Sequence, residues 1–148
     1  MAIKGYKKEP RDVPPVETNH RKIHTPIPVP ESMSLLERLY ERESFSLHWQ
    51  FPVFWDRAEG YNVYDKYGNK WLDMSSGIAV TNAGHGRPEV IEAIVKQAEH
   101  GLLYNFTFPS EIRLKFLEKL IEFTPPHLSK TFLMCAGSEA CENTIKLM

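Results

Sequence analysis

Lys130 to Lys146 carries the residue types best suited to chemistry: Thr131-Phe132-Leu133-Met134-Cys135 predicts a strand, Ala136-Gly137-Ser138-Glu139 a turn with one glycine, and a helical pattern follows. The first-turn N–H groups of a helix have no intrahelical partners and sit at the positive end of its dipole, so an anion placed there meets several donors together. Gly137 lets the backbone approach closely, and Ser138 adds a hydroxyl. The plainer alternative is an ordinary N-cap, with Ser138 closing a helix that binds nothing. No G-x-x-x-x-G-K-[ST] pattern is present, which excludes a nucleotide P-loop, and a turn with one glycine lacks the dinucleotide fingerprint.

Other candidates weigh toward structural roles. Gly84-His85-Gly86 reads as a tight bend that delivers Pro88 into a helix, with His85 bonding local backbone. Asp65 and Asp73 each end a strand beside a turn, where aspartate commonly accepts from the main chain instead of acting as an acid–base pair. His20 and His24 have helical metal-ligand spacing, but they lie in a proline-broken arm without a carboxylate nearby, so no metal site is assigned. Trp49, Phe51, Phe54 and Trp55 suggest a base-stacking platform, although aromatics clustered at a strand are more often core or subunit contact.

These residues need elements to position them. Pro10, Pro14, Pro15, Pro26, Pro28 and Pro30 keep residues 1–31 out of regular structure, as an extended arm. Ser34-Leu35-Leu36-Glu37 matches a capping box, which predicts a helix to about Ser44 with Leu35, Leu36, Leu39 and Tyr40 as its apolar stripe. Short strands are predicted at Phe51–Trp55, Tyr61–Asp65 and Lys70–Asp73, the last two joined by a turn at Lys66-Tyr67-Gly68-Asn69 and all three in a small antiparallel sheet. Met74 to Arg87 is too rich in glycine and small residues for a packed helix and reads as a loop against a site. Helices are predicted at Pro88–His100, stopped by Gly101, and at Ser110–Phe123, with Ile112, Phe116, Leu117, Leu120 and Phe123 as a buried face before Thr124-Pro125-Pro126. No internal repeat is visible.

The 148 residues, 42% of them apolar, fit one modest core, and 18 basic against 19 acidic side chains give a net charge of −1. That balance offers no electrostatic reason to expect nucleic acid or an anionic membrane as partner. No apolar run reaches the roughly 18 residues of a membrane span, and the leader lacks a secretory apolar stretch; its prolines and acids (Glu9, Asp12, Glu17), set among Lys4, Lys7, Lys8, Arg11, Arg21 and Lys22, exclude a transit helix. Cys135 and Cys141 form neither a disulfide framework nor a zinc spacing, so a cytoplasmic setting is expected.

In order, Val63-Tyr64-Asp65 with Gly68, Trp71-Leu72-Asp73, Ser76-Gly77-Ile78-Ala79-Val80, Gly84-His85 with Pro88-Glu89-Val90, and Gly137-Ser138-Glu139-Ala140 with Glu142 resemble the class III pyridoxal-phosphate aminotransferases. That group includes the 4-aminobutyrate, ornithine and acetylornithine enzymes. The similarity runs from near Phe54 to Met148; the leader matches only loosely. Arg87 stands where many members carry a second histidine, so no role is carried onto it. The resemblance implies an α/β fold, the N-terminal part of a fold-type-I transferase, incomplete here. The arm at 1–31 would be followed by a small-domain segment at 32–103 and the start of the large cofactor-binding domain at 104–148.

It also implies transamination between an amine or amino acid and a 2-oxo acid, with pyridoxal 5'-phosphate held at its phosphate by Gly137 and Ser138. Ile78 would be an apolar wall of the substrate pocket, and the full-length family would be a homodimer. Tyr104-Asn105-Phe106-Thr107-Phe108 resembles the segment that approaches the partner subunit; an aromatic connector is the alternative. The family's Schiff-base lysine, cofactor-pairing aspartate, stacking aromatic and carboxylate-binding arginine are not matched in this chain. Lys146 lies about 12 to 14 Å along the helix from Gly137, at roughly 1.5 Å per residue. Lys130 precedes the strand at its far end, roughly 15 Å or more from the turn at about 3.3 Å per residue. The expectation is an N-terminal portion inactive by itself; the rival is a non-catalytic interaction module or a binder of phosphorylated ligands.

Overall fold

The computed structural model describes residues 9–48, 50–105 and 107–148. The readings made on Lys4, Lys7, Lys8, Trp49 and Phe106 therefore lie outside the described residues. The chain divides into two compact units, 1–96 and 97–148.

The first unit is built on a five-stranded antiparallel sheet in the order β1-β2-β5-β4-β3. Its strands are β1 (Val16–Glu17), β2 (Lys22–Ile23), β3 (Arg57–Glu59), β4 (Asn62–Tyr64) and β5 (Lys70–Leu72). In register, Val63 faces Ala58 on one side and Trp71 on the other, and Lys22 pairs with Lys70. The turn into β5 holds Gly68 at φ +89, a left-handed conformation that suits glycine.

The arm is part of this sheet, contrary to the expectation from its prolines. Side chains sew it down: Asn69, fully buried, accepts the His24 N–H at 3.0 Å and donates to Thr25 Oγ1 at 2.8 Å and to Asp65 Oδ2 at 2.7 Å. Asn62 Nδ2 donates to the carbonyls of His20 and Trp71, and Lys70 Nζ to that of Asn19. A buried amide with every group paired adds specificity that an apolar contact lacks. The prolines flank this anchored stretch on both sides and leave its ladder bonds intact.

Helix α1 spans Met33–Tyr40, shorter than expected, and is preceded by a 3₁₀ turn at Pro30–Ser32. The capping box at Ser34 does not form: the helix begins earlier, and Ser32 Oγ instead donates to the Val29 carbonyl at 2.7 Å. Leu36 is buried, as are Ile23, Val29 and Val63, and among the described residues Pro28 and Pro52 are buried too. Phe51–Trp55 is irregular, because Pro52 lacks a ladder donor and pairing starts only at Arg57.

Helix α3 (Pro88–His100) ends as its sequence predicts, with Gly101 at φ +84. In the second unit, α4 (Glu111–Glu122) follows Ser110, and α5 (Gly137–Leu147) starts at the glycine. No residue of α3, α4 or α5 is buried. The expected buried face of α4 is therefore corrected: Ile112, Phe116 and Phe123 stand more than half exposed. The predicted strand at Thr131–Cys135 is likewise absent; the segment is unpaired, because a strand exists only against a neighbour.

This contrast sets expected energetics. Val63→Ala, at a fully buried position, should lower unfolding stability by roughly 2 to 3 kcal/mol. Ile94→Ala on the exposed stripe of α3 should change it by less than about 0.5 kcal/mol. Urea melts of the two variants check this, and equal losses would contradict the placement of the core.

Candidate functional site

Two places carry the site residues, one in each unit. In the second unit the chain enters α5 with Ala136 extended at φ −142 and ψ 158, and no side chain caps the helix. The first backbone bond of the helix is Ala140 N–H to the Ala136 carbonyl, at 3.0 Å. Among the described residues no acceptor takes the N–H groups of Gly137, Ser138 or Glu139, and the Ser138 hydroxyl is unengaged. A Cβ built on Gly137 would meet nothing within 4 Å, so the backbone is open on that side. The Glu139 carboxylate, the one acid of this first turn, folds back to accept the Cys135 N–H at 3.1 Å. Ser138 is thus not the ordinary cap that the plainer reading required.

These groups fit the phosphate of a cofactor: three unpaired donors, a hydroxyl and the positive end of a helix. They fit nothing beyond that phosphate. Lys146 is ion-paired to Glu142 at 2.6 Å, one turn further along the same helix.

In the first unit, Ser76–Ala79 (α2) replaces the expected irregular loop. It is a single left-handed turn: φ is 50 at Ser76, 58 at Gly77, 65 at Ile78 and 61 at Ala79. Its bonds run from Ala79 N–H to the Ser75 carbonyl at 2.8 Å and from Val80 N–H to that of Ser76 at 2.9 Å. Three of the four residues carry a Cβ, and a left-handed conformation costs such residues roughly 1–2 kcal/mol each. Something must hold the turn in place.

Asp73 does. Its Oδ1 accepts the Ser75 N–H at 3.0 Å and Ser75 Oγ at 2.7 Å, and its Oδ2 accepts the Gly77 N–H and His85 Nε2, both at 2.8 Å. The His85 ring was expected to bond local backbone; it reaches Asp73 instead, twelve residues away. The main chain of His85 exchanges two bonds with Gly60, at 2.7 and 2.8 Å, which pins the 84–86 bend to the β3–β4 turn. Gly86 is needed there, since a Cβ would lie 3.2 Å from the Ala58 carbonyl oxygen. Asp65 and Asp73 both accept main-chain N–H groups, as their positions beside turns predict.

Burial is the largest single influence on Asp73 and favours its neutral form, yet the bonds from Ser75 Oγ, His85 and the N–H groups of Ser75 and Gly77 together outweigh it and lower the pKa to about 2. An ionised carboxylate only accepts, so His85 presents a proton on Nε2.

Ile78 is 72% exposed and faces an apolar cleft of about 490 Å³. Leu36, Leu39 and Tyr40 of α1, Gln50, Phe51, Val53, Phe54 and Trp55, and Ser75 and Gly77 complete its lining. The aromatic cluster was expected to be core; Phe51 and Trp55 are half exposed and line this cleft, because Pro52 keeps their segment out of the sheet. Its density of aromatics was the signal for a cleft wall. Among the described residues no histidine, cysteine or acid cluster could hold a metal, and no helix is long and apolar enough to cross a membrane.

A sequence model described as aminotransferase class-III matches residues 46–148. An acetylornithine aminotransferase from Methanocaldococcus jannaschii is 38% identical over 114 residues, 75% of this chain and 27% of the relative. A 4-aminobutyrate aminotransferase from Mycobacterium leprae is 36% identical over 129 residues, 86% of this chain and 29% of the relative. An adenosylmethionine-8-amino-7-oxononanoate aminotransferase from Methanocaldococcus jannaschii is 43% identical over 96 residues, 62% of this chain and 20% of the relative. The chain thus spans about a quarter of the length of the curated relatives it matches.

A depressed folded-state pKa means that the ionised Asp73 stabilises the fold above the unfolded value near 3.9, and that this contribution disappears as pH falls toward about 2. The carboxylate is 2% exposed but lies just beneath the surface, covered mainly by its own partners, so solvent screening keeps the effect on the order of 1–2 kcal/mol. The gap in unfolding stability between the native chain and Asp73→Asn should be full at pH 6 and close between about pH 4 and pH 2. Urea melts across that range measure it; a gap independent of pH would refute the assignment.

Proposed function

This chain belongs to the class-III aminotransferase family, and we propose that it supplies the N-terminal portion of a pyridoxal 5'-phosphate transaminase. The reaction is transfer of an amino group between an amine or amino acid and a 2-oxo acid. The fold assigned is fold type I, with a proline-rich arm at 1–31 that contributes strands β1 and β2 to the sheet, a small-domain segment at 32–103 and the start of the large domain at 104–148. Gly137 and Ser138 hold the cofactor phosphate, and Ile78 contributes an apolar wall to the substrate pocket. The single observation that carries this reading is the set of unpaired donors at the start of α5.

When bound, pyridoxal phosphate supplies an electron sink for breaking bonds at the carbon that bears the amine. The residues of this chain do the holding. Gly137, Ser138 and Glu139 offer N–H groups to the phosphate, the Ser138 hydroxyl adds a further donor, and the Glu139 carboxylate is engaged by the Cys135 N–H. Ile78 and the aromatics of its cleft exclude water from an apolar part of a substrate. We take the chain by itself to be inactive, because Lys146 lies nine helical residues past Gly137 and is ion-paired to Glu142, and Lys130 precedes the whole segment that leads to the turn. The acetylornithine and 4-aminobutyrate relatives support amino-acid donors as a class and leave the individual donor open.

The exposed apolar faces of α3 and α4 and the unpaired segment 131–135 favour a second reading, in which the chain works as a non-catalytic module docked on another aminotransferase polypeptide of a dimeric assembly. An unpaired apolar segment is a ready edge for a strand from outside.

Titrating pyridoxal phosphate, and separately inorganic phosphate, into the ¹⁵N-labelled chain should shift the amide signals of Gly137, Ser138 and Glu139. Ser138→Ala should weaken binding roughly fivefold, about 1 kcal/mol for one hydrogen bond. Borohydride trapping followed by mass spectrometry should find no single modified lysine. Shifts confined to other residues would sink the phosphate assignment, and one stoichiometrically trapped lysine would sink the claim of inactivity.

A further inference from the structure

We propose that Asp73 and His85 are positioning residues that lock Ser76–Ala79 in its left-handed turn and thereby fix where Ile78 stands on the cleft. Only the consequence for substrate rests on the proposed function; the lock stands on geometry alone. Three residues with a Cβ at φ 50, 65 and 61 do not stay left-handed unaided. Right-handed or extended backbone is open to each of them. The turn's own bonds do not choose its hand, because a right-handed turn makes the same number.

The choice comes from outside the turn. Asp73 Oδ2 takes the Gly77 N–H from within it and His85 Nε2 from beyond it, each at 2.8 Å. Asp73 Oδ1 takes both donors of Ser75, the residue that enters the turn. His85 in turn is held by its paired bonds to Gly60 and by the edge of the Trp55 ring, 6.1 Å between centroids and nearly perpendicular. The lock therefore runs from the β3–β4 turn through His85 and Asp73 to the N–H adjacent to Ile78. With it in place, Ile78 stands 72% exposed on the cleft.

The test uses the full 148-residue chain and needs no ligand, so its failure and the failure of phosphate binding at α5 are separate results. A positive φ gives a strong amide–Hα Overhauser effect within the residue, readable at Ile78 and Ala79 in the labelled chain. His85→Ala should abolish that signature while the cross-strand effects of β3, β4 and β5 persist. His85→Gln, which still donates an N–H, should retain it. Ala79→Gly should raise the thermal midpoint by roughly 4 to 8 °C, since glycine pays no penalty in this conformation, and should rescue the midpoint of His85→Ala. Persistence of the signature in His85→Ala would overturn the proposal. So would loss of the sheet in that variant without rescue by Ala79→Gly, or a fall in the midpoint on Ala79→Gly alone.

Discussion

The Asp73 carboxylate is the interaction on which the first unit's site depends. Two oxygens collect four donors from three places in the chain: the turn entry at Ser75, the turn itself at Gly77, and the bend at His85. Hydrogen bonds to an ionised group are worth about 1.5–3 kcal/mol each. Left-handed backbone at Ser76, Ile78 and Ala79 costs about 3–6 kcal/mol in sum. The bonds are therefore strong enough to hold the turn, provided that the carboxylate stays ionised and covered. A pKa lowered to about 2 satisfies the first condition, and packing by its own partners the second.

Polar atoms organise much of this unit. Val63, Ile23, Val29 and Leu36 form a small apolar centre, while Asn69, Asn62, Asp65 and Ser32 are buried beside them with their groups paired. Short strands cannot hold the arm by ladder bonds alone, and the asparagine side chains supply the missing ones. The second unit follows a different rule. Its helices carry apolar stripes that none of their own residues bury, and the helix start at Gly137 keeps its donors free for the same reason: no side chain has been recruited to cap them. Unpaired donors and uncovered apolar faces are both unfinished surfaces, one suited to an anion and the other to protein.

Family membership connects these features to the class-III aminotransferases without assigning every residue. The matched region contains a helix start with unpaired N–H groups and an apolar cleft wall, and the relatives are about four times as long as the stretch they share with this chain.

Local signals were legible in the sequence. Pro88 and Gly101 bracket α3, Ser110 and Pro125 bracket α4, and Gly137 begins α5, because helix ends are set by residues within a few positions of one another. The β4–β5 hairpin was readable for the same reason, through Gly68 and its alternating neighbours. What only the tertiary structure decided is whatever depends on a partner distant in sequence. Thr131–Cys135 has strand composition and no neighbour to pair with, the proline arm has little pattern of its own and is held by Asn62, Asn69 and Lys70. The hand of the Ser76–Ala79 turn is likewise set by a histidine nine residues past Ser76. Sequence determines which conformations each segment can take at low cost; hydrogen bonds across long separations select the costly one at Ile78.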